Sequence, residues 1–340
     1  MNNPKPTLHD IANEASVSLS TLTRYLHQRG FVSREKQQRI QKAINNLGYQ
    51  PRLSANRAKA KSSYLIGVLI PYALCPHSSA ILSGLESGLA QHQFTPIVMI
   101  GNWNNEQEQL RIAQLKAQGI DALVVIGGSL TPAQLKDAAL ERPVVTIGCT
   151  DIDHPNIHCI KNSSLVGGYM ATNHLLRLGH TNIVYLSGIH FHPDSKYRRL
   201  GYQQALEKAG LTYDPERVIS GHFNVESGRK AVEKLLAQKL PFTAIFAAND
   251  QMAFGAIQAL ENAGVRVPQH VSVIGFDDHE VSSAFTPALT TIRQPSIQFG
   301  RSAAIHLAHI LGVIVEESET RCDEDSVRVV IRHSCSPCRQ

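Results

Sequence analysis

Short apolar runs alternate with helix-patterned segments twice along residues 64–275, and this alternation constrains the fold more than any other feature. The first run, YLIGVLI at residues 64–70, is almost entirely apolar and contains β-branched residues, as is typical of a strand buried on both faces of a parallel sheet. Strand–helix alternation builds parallel sheets that are covered by helices on both sides. We therefore predict an α/β body of two doubly wound lobes, with a ligand cleft at the carboxyl ends of their strands.

The same pattern places the individual elements. Strands are predicted at residues 64–70, 96–100, 122–126, 144–147, 183–186, 244–246 and 271–275. Helices are predicted at residues 79–91, 105–118, 132–139, 165–178, 199–209, 227–236 and 251–263.

The first 51 residues have a different pattern, that of three short helices. Thr7, Ser18 and Ser33 are suited to cap them, and two short helices with a tight turn, supported by a third, form a helix-turn-helix. In this motif the start of the second helix faces base edges in the major groove, and short hydroxyl side chains suit phosphate oxygens. The candidate DNA contacts are Thr7, Ser18, Leu19, Ser20, Thr21, Thr23, Arg24 and Ser33. Arg24 has two open interpretations, a paired contact to guanine or a phosphate contact.

Charge is distributed unevenly along the chain. Residues 1–63 hold 11 lysines and arginines against 3 acidic residues, a net charge of +8, whereas the remainder holds 22 bases and 25 acids, a net charge of −3. A small basic head on a slightly acidic body is typical of a polyanion-binding module joined to a neutral sensor. Double-stranded DNA is the predicted partner of the head.

Composition excludes several classes of protein. Hydrophobic residues make up 43% and charged residues 18%, which is ordinary globular composition. No apolar run reaches the ~18 residues of a membrane helix, and the amino terminus lacks the apolar segment of a signal peptide. We therefore predict no membrane association and a cytoplasmic location. The six cysteines are scattered, which favours reduced thiols.

We find no signature of catalysis and predict neither enzymatic activity nor a cofactor. The sequence lacks a phosphate-binding loop and a strand-borne nucleophile motif. His190 and His192 could hold a metal, as could the pair Cys335 and Cys338, but solvated histidines and an incidental cysteine pair are the favoured interpretations. No metal site is predicted.

The head motif carries a specific resemblance. The pattern T-L-x-D-I-A-x-x-A-x-V-S-x-x-T-L-T-R-x-L, then V-S and L-G-Y-x-P, runs without gaps from Thr7 to Pro51 and resembles the LacI/GalR family of bacterial transcriptional regulators. The resemblance continues to about Arg332, through NSSLVGGYMA at residues 162–171 and VIGFDD at residues 273–278. It implies a repressor that binds a palindromic operator as a homodimer and is controlled by a small metabolite. Ser16 departs from the family, which usually has glycine there.

The resemblance also divides the chain. Residues 1–51 are expected to form the DNA-binding domain, residues 52–63 a hinge, and residues 64–340 the effector-binding and dimerisation domain. Within the last, lobe 1 covers about 64–161 and 293–321, and lobe 2 covers about 162–292 and 322–340.

The hinge of this family folds on operator DNA and inserts a leucine into the minor groove, which kinks the duplex. Ala55 matches the family, but Ala58 stands where the leucine belongs. Either Leu53 replaces it from a shifted register, or the operator is kinked less. By composition alone, residues 52–63 also fit a plain flexible linker.

The effector site is expected at five positions that match the family. Arg198 corresponds to the arginine that clamps the ligand, Asp277 to an acid that accepts hydroxyls or a ring N–H, and Phe223 to an aromatic that stacks on a ring. Asn249 corresponds to a polar contact, and Asp194 lies four residues before Arg198. From the residues alone, Asp277 could instead cap a loop and Phe223 could belong to the core.

Two departures from the family suggest the effector's chemistry. Cys75, His77 and Ser78 stand where stacking aromatics are common, and Lys161 replaces a frequent aspartate. A buried lysine needs an anionic partner, so Lys161 near Arg198 indicates an anionic ligand such as a sugar acid or sugar phosphate. A protein carboxylate is the alternative partner of Lys161.

Three other functions compete with the sugar-responsive repressor. The first is a regulator that depends on a purine-type corepressor. The second is a sugar-binding receptor without a DNA function, against which the basic head argues. The third is an α/β enzyme, against which the absence of a catalytic motif in the sequence argues.

Overall fold

The computed structural model describes residues 8–26, 32–47, 62–73, 75–148, 152–314 and 327–338. It divides into two compact units, Met1–Ser63 and Tyr64–Gln340. Thr7, Leu53, Ala55 and Ala58 lie outside the described residues, and so does the side chain of Thr23.

The first unit contains the three predicted helices, α1 (Leu8–Glu14), α2 (Leu19–Leu26) and α3 (Arg34–Leu47). Their apolar sides meet in a small core formed by Ile11, Ala12, Ala15, Leu22, Ile40 and Ala43. The turn between α1 and α2 places Ser16 in the left-handed region, at a φ of 52°. Glycine adopts that conformation without the steric cost that serine meets there.

Lobe 1 of the second unit is built on a parallel sheet. Its strands, in the spatial order β2-β1-β3-β4-β5, are β1 (Leu65–Ile70), β2 (Thr95–Ile100), β3 (Ala122–Ile126), β4 (Val144–Ile147) and β5 (Ile157–Ile160). The helices between these strands are α4 (Pro76–Ala90), α5 (Asn105–Ala117) and α6 (Pro132–Ala138).

Lobe 2 repeats the plan with a second sheet. Its strands, in the order β11-β10-β9-β8-β6-β7, are β6 (Ile183–Ser187), β7 (Val218–Ser220), β8 (Ala244–Ala247), β9 (Ser272–Asp277), β10 (Thr290–Arg293) and β11 (Arg328–Val330). All pairs are parallel except β10 with β11. The helices of this part are α7 (Ser164–Arg177), α8 (Pro193–Lys208), α9 (Val225–Gln238), α10 (Asp250–Asn262) and the short α11 (Val281–Ala284).

The chain returns to lobe 1 after β10. Helix α12 (Ser296–Ile310) packs on α4, and its Phe299 joins the core between α4 and the first sheet. The chain therefore passes between the lobes three times, near residue 161, after residue 293, and again between α12 and β11.

Paired glycines set the spacing of the closest helix pairs. A Cβ on Gly84 of α4 would lie 2.0 Å from the carbonyl oxygen of Ile297 in α12, and one on Gly168 of α7 would lie 2.4 Å from that of Arg198 in α8. Because real Cβ atoms do not approach backbone so closely, glycine is required where these helices cross.

The predicted fold class is confirmed, with two differences in the helix starts. Helix α4 begins at Pro76 rather than residue 79, and α8 begins at Pro193 rather than residue 199. Proline at the first helical position has no hydrogen bond to lose and a suitable φ. No helix in the described ranges is long and apolar enough to cross a membrane.

Candidate functional site

Loops at the carboxyl ends of strands from both lobes converge on one cavity. We call it the inner cavity; its volume is about 50 Å³. Eight of the nine predicted effector residues line it, namely Cys75, His77, Ser78, Asp194, Arg198, Phe223, Asn249 and Asp277. Lobe 1 adds Trp103, Gly127 and Gly148, and lobe 2 adds His192.

A larger space adjoins the inner cavity. This outer chamber has a volume of about 800 Å³ and shares His77, Asn249 and Asp277 with the inner cavity. Small-molecule sites usually measure about 300–1,000 Å³, so a metabolite fits the chamber. It fits the inner cavity only if the lobes move apart.

Lys161 does not belong to this site. Its side chain is exposed and lines neither the inner cavity nor the outer chamber. The expectation of a buried lysine in the cleft is therefore wrong. Lys161 follows the last residue of β5, where the chain leaves the edge of the first sheet.

Arg198 is the centre of a buried charge cluster. Its guanidinium lies 3.7 Å from a carboxylate oxygen of Asp194 and 3.7 Å from one of Asp277. It also donates to the carbonyl oxygen of Ala248 at 2.5 Å and lies over the ring of Phe276, 3.7 Å from its centroid. With 2% of its surface exposed, Arg198 is fully engaged by protein groups.

Asp194 is held in its ionised form. Burial opposes ionisation, but His192, Arg198 and a hydrogen bond of 2.6 Å from the amide of Asn162 outweigh it, and the pKa of Asp194 lies below its usual value. Arg198 and Asp194 are four residues apart on α8, so the helix holds both side chains on one face.

Asp277 closes the other side of the cluster. Its backbone has a φ of 106°, a region that non-glycine residues rarely adopt and that is common at functional sites. The amide of Gln294 donates to its carboxylate at 2.7 Å. One arginine between two carboxylates leaves this group of three with a net negative charge.

Three further groups shape the cavity wall. Asn249 caps α10 through the N–H of Met252 and donates to the backbone oxygen of Phe223 at 3.0 Å. This fixes the loop that carries the Phe223 ring. His77 is hydrogen-bonded to Ser296 of α12 at 2.9 Å, and burial raises the pKa of the Cys75 thiol.

Sequence reasoning missed His192 and Trp103 as cavity residues. His192 is 3% exposed, accepts from the backbone N–H of Asp194 at 3.2 Å and caps α8. The signal for His192 was Pro193, which marks a helix start. Trp103 lies in a loop between β2 and α5, for which the pattern gave no contact prediction.

The metal alternatives gain no support. No group of three or more histidine, cysteine or acidic side chains within the described ranges could hold a metal ion. Cys335 donates to the carbonyl oxygen of Val273 at 3.2 Å, and burial raises the pKa of its thiol to about 12, so it is not a reactive thiolate at neutral pH.

The helix-turn-helix exposes three of the predicted DNA contacts most clearly. Leu19, Ser20 and Arg24 of α2 face solvent, and Leu19 is 39% exposed despite its apolar side chain. The hydroxyl of Ser18 accepts from the backbone N–H of Thr21 at 3.2 Å, so Ser18 caps the helix that carries them. Ser33 directly precedes α3, and its carbonyl accepts from Gln37.

The fold and the site define a class of protein: a two-lobed small-molecule receptor with a helix-turn-helix head. Residues 63–336 match the family model for periplasmic binding proteins and the sugar-binding domain of the LacI family, and residues 7–52 match the model for bacterial regulatory proteins of the lacI family. The chain belongs to the LacI family, as the head motif predicted.

Individual proteins show the same relationship. The chain is 33% identical over 336 residues to the HTH-type transcriptional repressor PurR of Aliivibrio fischeri, covering 97% of this chain and 98% of that one. It is 33% identical over 306 residues to the repressor CytR of Escherichia coli, covering 88% of each. A crystal structure of the lac repressor dimer bound to operator and the anti-inducer ONPF superposes with a TM-score of 0.84 at 26% identity, over 97% of this chain and 99% of that one.

Proposed function

We propose that this protein is a transcriptional repressor that binds a palindromic operator as a homodimer and responds to a small metabolite in the interlobe cavity. The observation that supports this most is the convergence of Asp194, Arg198, Phe223 and Asp277 on one cavity within a chain that also carries a helix-turn-helix. A regulator of this kind acts on the chromosome, so we place it in the bacterial cytoplasm, without an enzymatic activity of its own.

We propose a neutral effector rich in hydrogen-bond donors in place of an acidic sugar. Arg198 is already paired with Asp194 and Asp277, and Lys161 is outside the cavity. An incoming carboxylate or phosphate would meet two carboxylates and only one cation, which is unfavourable at low dielectric. Hydroxyl or N–H groups suit those carboxylates.

DNA recognition is assigned to the exposed face of α2, from Leu19 at its start to Arg24 in its last turn. Leu19 offers an apolar contact for a thymine methyl group, and Arg24 offers a paired contact for guanine or a charge for phosphate. Two heads of a dimer reach half-sites about one helical turn apart, so the operator is expected to be palindromic.

The effector acts by favouring one arrangement of the lobes. A ligand shifts an equilibrium only by its differential affinity for the two states, and typical couplings are about 1–3 kcal/mol. The inner cavity of about 50 Å³ is too small for a sugar or a nucleoside. Binding there requires a change in lobe separation, which the three connections between the lobes would allow.

The test is selection of binding sites from random duplex DNA with the full-length protein, followed by gel-shift assays with neutral and acidic metabolites. We expect a palindromic site and a response to neutral compounds. Asp277→Asn should abolish the response, whereas Asp137→Asn, the same change at an exposed position of α6, should preserve it. Absence of any preferred duplex, or a response to acidic sugars alone, would refute the corresponding part of the proposal.

A further inference from the structure

A buried carboxyl group lies behind the lobe 1 wall of the inner cavity. Glu108, in the first turn of α5, has no exposed surface. It stands between two loops that both line the cavity, the loop that carries Trp103 after β2 and the loop that carries Gly127 after β3. Because a glutamate is almost never fully buried without specific partners, the position of Glu108 points to a specific role in this wall.

One oxygen of Glu108 holds the loop after β3. Oε2 accepts a hydrogen bond from the backbone N–H of Ser129 at 2.8 Å. A Cβ on Gly128 would lie 3.0 Å from the same oxygen, and the backbone of Gly128 has a φ of 102°, which glycine adopts without strain. Asn105, in the same turn of α5, donates to the carbonyl oxygen of Ser129 at 2.8 Å. The loop is therefore bound to the start of α5.

The carbon chain of Glu108 supports the loop after β2. A Cβ on Gly101 would lie 2.3 Å from Cγ of Glu108, so the start of this loop packs directly on the glutamate side chain. Trp103, two residues later, has a φ of 55°, in the left-handed region that non-glycine residues rarely adopt. Such a conformation persists where its surroundings hold it. Glu108 is thus a contact that the two loops of the wall share.

Both loops meet His192 of lobe 2 on their other side. The ring of Trp103 stands edge-on to the ring of His192, with centroids 4.9 Å apart. A Cβ on Gly127 would lie 3.3 Å from Nε2 of His192. A displacement of the two loops therefore changes a contact between the lobes, which is the contact that a bound effector has to adjust.

The groups around Glu108 are almost all uncharged. The loops at residues 101–104 and 127–131 and the strands β1, β2 and β3 contain no titratable side chain. Arg111, on the next turn of α5, donates to the carbonyl oxygen of Ile100 and to the side chain of Gln114. On the far side of the two loops lies His192. The other charged side chains of α5 and α6 near these loops, Glu106, Lys136 and Asp137, are exposed.

These surroundings favour the neutral form of Glu108. Burial raises the pKa of its carboxyl group, and the hydrogen bonds from Ser129 and Leu130 oppose this only in part. Oε1 is buried and has no hydrogen-bond partner among the described residues. Ionisation would place charge on a buried oxygen that has no donor, which is strongly unfavourable unless the loops move and admit water.

We propose that Glu108 is a positioning residue: as a neutral carboxyl group it holds the Trp103 and Gly127 loops together, and its ionisation loosens this wall of the inner cavity. The sign follows from linkage. A carboxyl group with a raised pKa stabilises its surroundings at low pH, and that contribution is lost as pH rises through the raised value. The wall is therefore intact at low pH and loosened at higher pH. Its importance for the effector rests on the proposed function.

The test uses the intrinsic fluorescence of the full-length protein, because Trp103 is the only tryptophan in the sequence. Emission and its quenching by acrylamide are recorded from about pH 4 to about pH 9. We expect the parent to show a red shift and stronger quenching as pH rises, in a transition that Glu108→Gln lacks, because glutamine keeps the shape and the hydrogen bonds but does not titrate. His192 titrates in both proteins, so the difference between the two curves reports Glu108. Superimposable curves would overturn the proposal.

Further variants separate positioning from general stability. Glu108→Ala should show the loosened wall at every pH, whereas Glu108→Gln should show the intact wall at every pH. Glu106→Gln makes the same change at an exposed position of the same turn and should follow the parent. Circular dichroism at each pH identifies any unfolding, and the comparison of Glu108→Gln with the parent decides the matter if Glu108→Ala does not fold. A loosened wall in Glu108→Gln at low pH would refute the role.

This experiment needs neither operator nor effector, so the two proposals can fail separately. A pH-dependent wall in a protein that selects no duplex would support the role of Glu108 and refute the proposed function. A protein that selects a palindromic duplex and gives superimposable fluorescence curves would do the reverse.

Discussion

Arg198 shows at the residue scale how a binding group also supports the fold. Its guanidinium lies near Asp194 and Asp277 and donates to Ala248. Removing one member of a buried charge cluster leaves the others desolvated and unpaired, at a cost of about 3–5 kcal/mol. The residue that we propose as an effector contact therefore also carries part of the stability of lobe 2.

We expect Arg198→Met to lower the free energy of unfolding by about 3–5 kcal/mol and to abolish effector binding. Arg199→Met is the matched control, because Arg199 is the exposed neighbour on the same helix. Urea denaturation and calorimetry measure the two effects. Equal stability of the two variants would show that the cluster is not a unit.

The buried carboxyl group of Asp250 is expected to make the stability of the protein depend on pH. It is 1% exposed and accepts from Ser282, Thr291 and the backbone N–H of His279 at 2.5–2.7 Å. Burial and the charge of Asp277 raise its pKa to about 7. The folded state therefore holds a proton that the unfolded chain releases near pH 4, and stability falls as pH rises from about 4 to about 7.

At 1.36 kcal/mol per pKa unit, this contribution amounts to roughly 4 kcal/mol across the window. Asp250→Asn keeps the shape but does not titrate, so its free energy of unfolding should depend less steeply on pH between 5 and 8. Because other groups titrate in both proteins, the quantity to measure is the difference between the two curves. Parallel curves would contradict the prediction.

At the scale of elements, glycines determine how closely two pairs of helices cross. Gly168 of α7 lies against the backbone of Arg198 in α8, and Gly84 of α4 lies against Ile297 in α12. Both crossings need glycine for the same steric reason. Only the crossing of α7 with α8 includes a residue of the buried charge cluster, Arg198. The site is therefore coupled to the packing of α7 on α8.

We expect Gly168→Ala and Gly84→Ala both to destabilise the protein by about 1–3 kcal/mol, the usual cost of overpacking. Only Gly168→Ala should also weaken effector binding, because a Cβ there would lie 2.8 Å from the Cα of Arg198. Thermal unfolding and calorimetry on the two variants test this. Equal affinity of both for the effector would mean that α8 absorbs the shift.

The sequence predicted the long, periodic elements and most of the cavity residues, and it failed where the signal is not local. The run at residues 64–70 is continuously apolar and the helix at residues 105–118 has a helical period, and β1 and α5 match them closely. Strand β7 has three residues and β11 is a short antiparallel edge, which is too little for a periodic pattern. Helix α12 was not predicted, although its Ala303, Ala304 and Leu307 are buried at helical spacing.

The residues of the candidate site also divide into those that the sequence predicted and those that it missed. Asp194 and Arg198 were identified from the family motif, although the predicted helix began at residue 199 and α8 begins at Pro193. Trp103 was missed because its position depends on a left-handed loop, and no periodic pattern reports such a loop. The anionic ligand was inferred from Lys161 on the assumption of burial, which a residue directly after an edge strand does not meet.

At the scale of the whole molecule, the basic head and the acidic body have separate tasks. We expect Arg24→Ala, if Arg24 reads guanine, to relax specificity at one operator position by about 1–3 kcal/mol. Arg266→Ala removes the same charge from an exposed position of the body and should leave operator binding unchanged. Binding to a panel of single-base operator variants measures this, and a uniform loss over all sequences would assign Arg24 to phosphate.

Thermodynamic linkage connects the operator affinity of the head to the effector affinity of the cavity. If the effector changes operator affinity by some factor, the operator must change effector affinity by the same factor and in the same direction, typically about 5- to 150-fold. We expect the two factors, one from gel shifts with and without the effector and the other from calorimetry with and without a saturating operator duplex, to agree. Asp277→Asn should bring both factors to one. Arg24→Ala should weaken operator binding and leave the coupling factor unchanged, because we assign Arg24 to the DNA alone. An effect of Arg24→Ala on effector affinity in the absence of DNA would contradict this separation.

A shared factor that weakens operator binding means that the metabolite releases the operator, and one that strengthens it means that the metabolite promotes binding.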